Sequence, residues 1–149
     1  AVALRYFNVF GPYQNPASQY AAVIPKFIVS FMEDKSPVVF GDGEQSRDFT
    51  FIDNVVEANI LACTKRDAVG KVMNIACGQR YSLNDLIGKL QAIFGKRIEP
   101  TYCPGKPGDV KHSLATIELA QQHLGYKVKF DFDQGLEKTI EWLKHKTHI

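Results

Sequence analysis

Arg47 and Asp48 stand side by side between a glycine turn, Gly41-Asp42-Gly43, and an apolar run at 49–52. A guanidinium is a planar fork of donors that matches two phosphate oxygens at once. The glycines take positive φ at no steric cost and let a ligand approach the backbone closely. A second polar loop, PGKPGDVK at 104–111, repeats the combination with Lys106 and Asp109. A carboxylate beside a cation can accept hydrogen bonds from sugar hydroxyls, so the two loops together suit a nucleoside diphosphate. The competing reading is a solvated ion pair of Arg47 with Asp48 or Glu44, worth about 0–1 kcal/mol. Spacing leaves both open.

Other residues offer less. Cys63, Cys77 and Cys103 are odd in number and lack the paired spacing of a zinc site or a disulfide framework, which points to a reduced, cytoplasmic setting. His112, His123, His145 and His148 have no metal-site spacing with acidic or cysteine partners and read as surface residues. A formal net charge of +2, with no basic stripe interleaved by aromatics, argues against nucleic acid as a partner. No apolar run reaches membrane-spanning length and no signal peptide opens the chain, so no membrane partner is expected. Tyr102 and Lys106 have the four-residue spacing of a catalytic Tyr-Lys pair. Pro104 and Gly105 between them prevent the helical turn that would put both side chains on one face.

The elements that must position these residues alternate between strand and helix over the 149 residues. Val2, Leu4 and Tyr6 alternate in a strand over 1–6, and Gly11-Pro12 opens a polar loop. A helix is expected at 21–33, with Pro25 tolerated near its first turn, and a short strand at 37–40. The segment 47–52 reads as one strand, followed by a helix capped by Asp53, with Val56, Ala58 and Ile60 among its apolar residues. A loop at 67–71 and a strand at 72–75 follow. Ser82 with Asp85 predicts a capping box for a helix lined by Leu83, Leu86, Ile87, Leu90 and Phe94 and ended by Gly95. A strand at 98–102, a helix at 116–124 stopped by Gly125, extended chain at 128–132 and a last helix capped by Asp133 complete the pattern. There is no internal repeat. The class is α/β.

Four stretches, ALRYFNVFGP, YAAVIPKFI, PVVFGDGEQSRDFTFIDNVVEAN and PGKPGDVKHSLA, carry a resemblance across essentially the whole chain. The chain resembles the carboxyl-terminal half of the NAD-dependent nucleotide-sugar epimerases and dehydratases, the extended short-chain dehydrogenase/reductases, and among them the UDP-N-acetylglucosamine 4-epimerases most. The resemblance implies that residues 1–149 are the substrate-binding portion of a two-domain enzyme plus the last elements of its Rossmann domain. It implies a UDP-sugar substrate, NAD bound mainly by an upstream half, and a homodimeric parent.

The resemblance also assigns roles. Tyr6 would lie by the nicotinamide and Asn8 would bond the nucleotide sugar. Val38 and Phe40 would hold the uracil, Arg47 and Lys106 the diphosphate, and Asp109 the ribose. Lys106 departs from the family's usual arginine and loses the bidentate fork. Gln79 would lie in the loop closing near the uridine. Ala22 and Ser113 are small where members restricted to non-acetylated sugars tend to carry Asn and Tyr, which leaves room for an N-acetyl group. The family's Gly-rich fingerprint and helical Tyr-x-x-x-Lys pair are absent from these residues. No catalytic residue is therefore assigned, and the isolated chain is expected to be inactive. Dehydration, decarboxylation or epimerisation of UDP-N-acetylglucosaminuronate on the same scaffold, and a non-catalytic nucleotide-sugar-binding module, are the alternatives.

Overall fold

A computed structural model of the chain describes residues 1–17, 22–105, 107–108 and 110–146. Three parallel strand pairs organise it. β1 (Ala3–Tyr6) pairs with β6 (Val72–Ile75), β2 (Val9–Phe10) with β5 (Thr50–Phe51), and β3 (Val38–Phe40) with β8 (Thr101–Cys103). The fourth pair, β4 (Ser46–Arg47) with β7 (Tyr81–Ser82), is antiparallel. Helices α1 (Val23–Met32), α2 (Ile52–Thr64), α3 (Leu83–Phe94), α4 (Glu118–Leu124) and α5 (Phe132–Lys146) connect and cover the pairs. Parallel pairs need crossovers, and helices supply them. The class is α/β, as expected.

Two cores form. In the first, Ile24, Phe27, Ile28 and Phe31 of α1 meet Leu83, Leu86, Ile87 and Leu90 of α3 and Leu136, Ile140 and Leu143 of α5, around Phe10, Phe49 and Phe51. In the second, Val55 and Ala58 of α2 meet Met73 and Ile75 of β6 and Ala120 and Leu124 of α4. Ile52 packs against both.

The capping box at Ser82 and Asp85 is present, and Gly95 ends α3 in the left-handed conformation at φ 61°. Several boundaries differ from the pattern-based expectation. The strand expected at 47–52 is two, because β4 pairs with β7 whereas β5 pairs with β2, and the chain changes partner at Asp48-Phe49. Helix α2 starts at Ile52 with no side-chain cap, and Asp53 lies inside its first turn, where a carboxylate favours the helix dipole. Its inward face is Asn54, Val55 and Ala58, while Val56 and Ile60 are 49% and 57% exposed.

The last helix is capped by Asp131, not Asp133. The Gln134 amide donates to Asp131 Oδ1 at 2.9 Å and the Asp131 amide donates to Gln134 Oε1 at 3.1 Å. Asp133 instead pairs with Lys89 at 2.6 Å. No strand forms at 128–132; Asn54, fully buried, holds that segment by donating to Phe130 O at 2.7 Å and accepting the amides of Lys129 and Phe130. β8 begins at Thr101 and α4 at Glu118, later than expected, and a 3-10 turn at Arg66–Ala68 opens the loop at 67–71.

Candidate functional site

The turn between β3 and β4 sets the site. Gly41 and Gly43 have φ of 91° and 79°. A Cβ at Gly43 would also meet the Asn84 amide, which would have to shift to admit it. Asn84 Nδ2 donates to Asp42 O at 3.1 Å and to the Glu44 carboxylate, and Gln45 Nε2 donates to Phe40 O, so side chains brace the turn from both sides. On β3, Val39 is buried, whereas Val38 and Phe40 are 48% and 41% exposed. These two are therefore not core; they face away from it, beside the turn.

Asp48 does not form a solvated pair with Arg47. Its carboxylate is fully buried and accepts the amides of Cys77 and Gly78, each at 2.9 Å, and of Ala115 at 3.5 Å. Burial raises its pKa above the ordinary carboxylate value, outweighing these three amides, which favour the ionised form. Arg47 points the other way. Its Nη1 donates to Ser46 O at 2.9 Å and to Lys111 O at 3.3 Å, across the seam where the 111–113 segment runs beside β4. Glu44, the other candidate partner, accepts from Asn84.

Two hollows meet at Gln45. One, of about 240 Å³, is lined by Asn8, Phe10, Ala22, Val23, Arg47 and Phe49 among others. The other, of about 290 Å³, is lined by Phe40, Gly41, Asp42, Gly105, Val110 and Lys111. Asn8 reaches the first through a left-handed backbone at φ 38°, which asparagine tolerates, and its Nδ2 donates to Asp48 O at 3.3 Å. It is both a turn residue and a wall of the hollow. A mainly apolar cleft carrying one guanidinium suits a ligand with an anionic centre and a less polar body.

The expected site residues divide accordingly. Asn8, Ala22 and Arg47 share the first hollow, and Phe40 lines the second, with Val38 on the same strand. Ser113 is held beside β4, its amide donating to Ser46 O at 3.0 Å. Gln79 is exposed, accepts from the Tyr81 hydroxyl and lines neither hollow. Tyr6 lies elsewhere, 48% exposed, with its hydroxyl donated to Asn59 Oδ1 at 2.9 Å. Lys106 and Asp109 are outside the described residues.

Gln45 and Lys111 line the cleft without having been singled out, because nothing local distinguishes a Gln or Lys in a polar loop. Tyr102 is on strand β8 and donates to Asn84 Oδ1 at 3.0 Å, so it is no part of a helical Tyr-Lys pair. Burial pushes the Cys77 thiol up to about 11, which leaves it protonated and a poor nucleophile near neutrality. Among the described residues no three metal-ligating side chains converge.

Parallel strand pairs crossed over by helices, with a cation-bearing cleft at the end of a glycine turn, define an α/β unit with a candidate ligand site. Residues 1–76 match the model of the NAD dependent epimerase/dehydratase family, and the chain belongs to that family. It is 42% identical to the UDP-N-acetylglucosamine 4-epimerase of Methanobrevibacter ruminantium, solved with UDP-N-acetylmuramic acid, with a TM-score of 0.91 over 97% of this chain and 46% of that one. It is 36% identical to the UDP-glucose 4-epimerase of Thermotoga maritima, solved with UDP-glucose, with a TM-score of 0.92 and coverage of 97% and 46%. A UDP-glucuronate 4-epimerase of Thermodesulfobacterium geofontis is 31% identical over 98% of this chain and 44% of its own length. The fold is thus that of the extended short-chain dehydrogenase/reductase epimerases, and the chain spans about half the length of these relatives.

NAD is the cofactor of the family. The half-exposed Tyr6 ring, anchored through its hydroxyl at the end of β1, fits a one-sided contact with a flat ring.

Proposed function

We propose that this chain is the nucleotide-sugar-binding portion of a UDP-N-acetylhexosamine or UDP-hexose 4-epimerase. The observation that carries the reading is Arg47 in a cleft with Asn8 and the small Ala22, next to the hollow under Phe40. Arg47 binds the diphosphate together with Lys106. Val38 and Phe40 receive the uracil, Asp109 the ribose hydroxyls, and Asn8 bonds the sugar. Gln79 lies in the loop that closes near the uridine. Ala22 and Ser113 leave space for an N-acetyl group, which favours the acetylated hexosamine.

Tyr6 is the residue of this chain that would touch the nicotinamide of NAD. When bound, NAD supplies transient oxidation at C4 of the sugar and its reversal. The acid/base pair for that chemistry lies in the remainder of a homodimeric, cytoplasmic parent, so this chain alone binds without turnover. Among the described residues no helix is long and apolar enough to cross a membrane, and a net charge of +2 gives no reason to invoke nucleic acid.

Calorimetric titration with UDP tests the reading. Arg47→Ala is expected to weaken binding by roughly tenfold or more, since a charged hydrogen bond contributes about 1.5–3 kcal/mol. Unchanged affinity in the variant would remove the diphosphate role.

A further inference from the structure

Ser46 is buried, yet its hydroxyl is bonded to an exposed histidine 66 residues later, with Ser46 Oγ to His112 Nδ1 at 2.8 Å. The bond spans a seam. Ser46 and His112 form an isolated parallel bridge, the Ser46 amide donates to Lys111 O at 2.8 Å, and the Ser113 amide donates to Ser46 O at 3.0 Å. The segment therefore runs beside β4 through a single parallel bridge, while β7 pairs with β4 antiparallel.

Arg47 sits on that seam. Its Nη1 reaches one carbonyl from each side, Ser46 O and Lys111 O. A change in the spacing between β4 and the segment moves apart the two carbonyls that this nitrogen bridges. The same segment places Lys111 in the wall of the second hollow.

We infer that His112 is a positioning residue, acting through Ser46 to fix the seam on which the Arg47 guanidinium is aimed and from which Lys111 lines the cleft. The inference rests on the nucleotide-sugar reading and deepens it. His112 lines neither hollow. A neutral imidazole accepts from the serine hydroxyl or donates to it, depending on tautomer.

The test uses this chain with UDP as probe and four variants: Ser46→Ala, His112→Ala, the double variant, and His112→Asn, whose amide group stands where Nδ1 was. Each single alanine variant is expected to bind UDP about fivefold more weakly, the usual worth of one hydrogen bond. The double variant should be no weaker than either single, and His112→Asn should recover to within about twofold of the wild type. Exchange of the Ser113 amide with solvent, followed on the same proteins, should quicken in the alanine variants and slow again in His112→Asn. Wild-type affinity in the alanine variants, additive losses, failure of asparagine to rescue, or unaltered amide exchange would each overturn the positioning role. Failure of the folded wild-type chain to bind UDP would overturn the nucleotide reading beneath it, and the positioning role with it.

Discussion

At the scale of single residues, Arg47 and Asp48 are neighbours with opposite tasks. Asp48 is spent on structure, drawing the amides of Cys77, Gly78 and Ala115 onto one buried carboxylate. That frees the backbone around it to turn Arg47 toward the cleft. The raised Asp48 pKa has a definite sign: the folded state holds the proton more tightly than the unfolded state. This group's contribution to stability is therefore complete below the unfolded value and is lost as pH rises through the folded value. Asp48→Asn removes the titration and sets an NH2 group against backbone donors, at a cost of about 1–3 kcal/mol. The wild-type advantage should be largest in acid, below the pKa of an unfolded aspartate, and shrink as pH rises through the raised folded value. Urea midpoints of the two proteins check this, and an advantage that grows with pH would contradict it.

At the scale of elements, α5 is seated by a glycine. A Cβ at Gly135 would lie 2.7 Å from Phe10 Cζ and 3.0 Å from Phe51, so the helix rests directly on β2 and β5. Phe10, which lines the cleft, also meets Phe132 of α5 edge-on with ring centroids 5.6 Å apart. Gly135→Ala gains helix propensity of about 1 kcal/mol but overpacks this contact at about 1–3 kcal/mol. A lower melting temperature is expected; a higher one would show that α5 shifts away at little cost. The cap of α3 was legible because its signal is contained in Ser82 and Asp85, three residues apart. The cap of α5 is equally local, since Asp131 has Gln134 three residues on, but the pattern-based expectation falls on Asp133, which the distant Lys89 claims instead.

At the scale of the whole molecule, α2 joins the two cores. Ile52 touches both, and the buried Asn54 side chain ties α2 to the strand of chain that leads into α5. Unfolding one core strips partners from the other, so the chain should unfold as one cooperative unit. Trp142, the single tryptophan, packs against the first core, whereas the helical signal samples both. Denaturation followed by Trp142 fluorescence and by far-ultraviolet circular dichroism should give coincident curves. Two separate transitions would mean that Ile52 and Asn54 do not couple the cores.

The sequence by itself determined the α/β alternation, the α3 face, the glycine turn and the family resemblance, because each is written in residues close together or in ordered motifs along the chain. It also pointed to Arg47, Asn8, Ala22 and Phe40, which the tertiary structure places in one cleft or its neighbour. Only the tertiary structure decided that Asp48 is buried, that Gln45 and Lys111 line the cleft, and that His112 reaches Ser46. The reason is physical: burial and hydrogen bonding across a seam depend on which distant segment arrives there. A polar residue in a loop carries no mark of the partner it will meet.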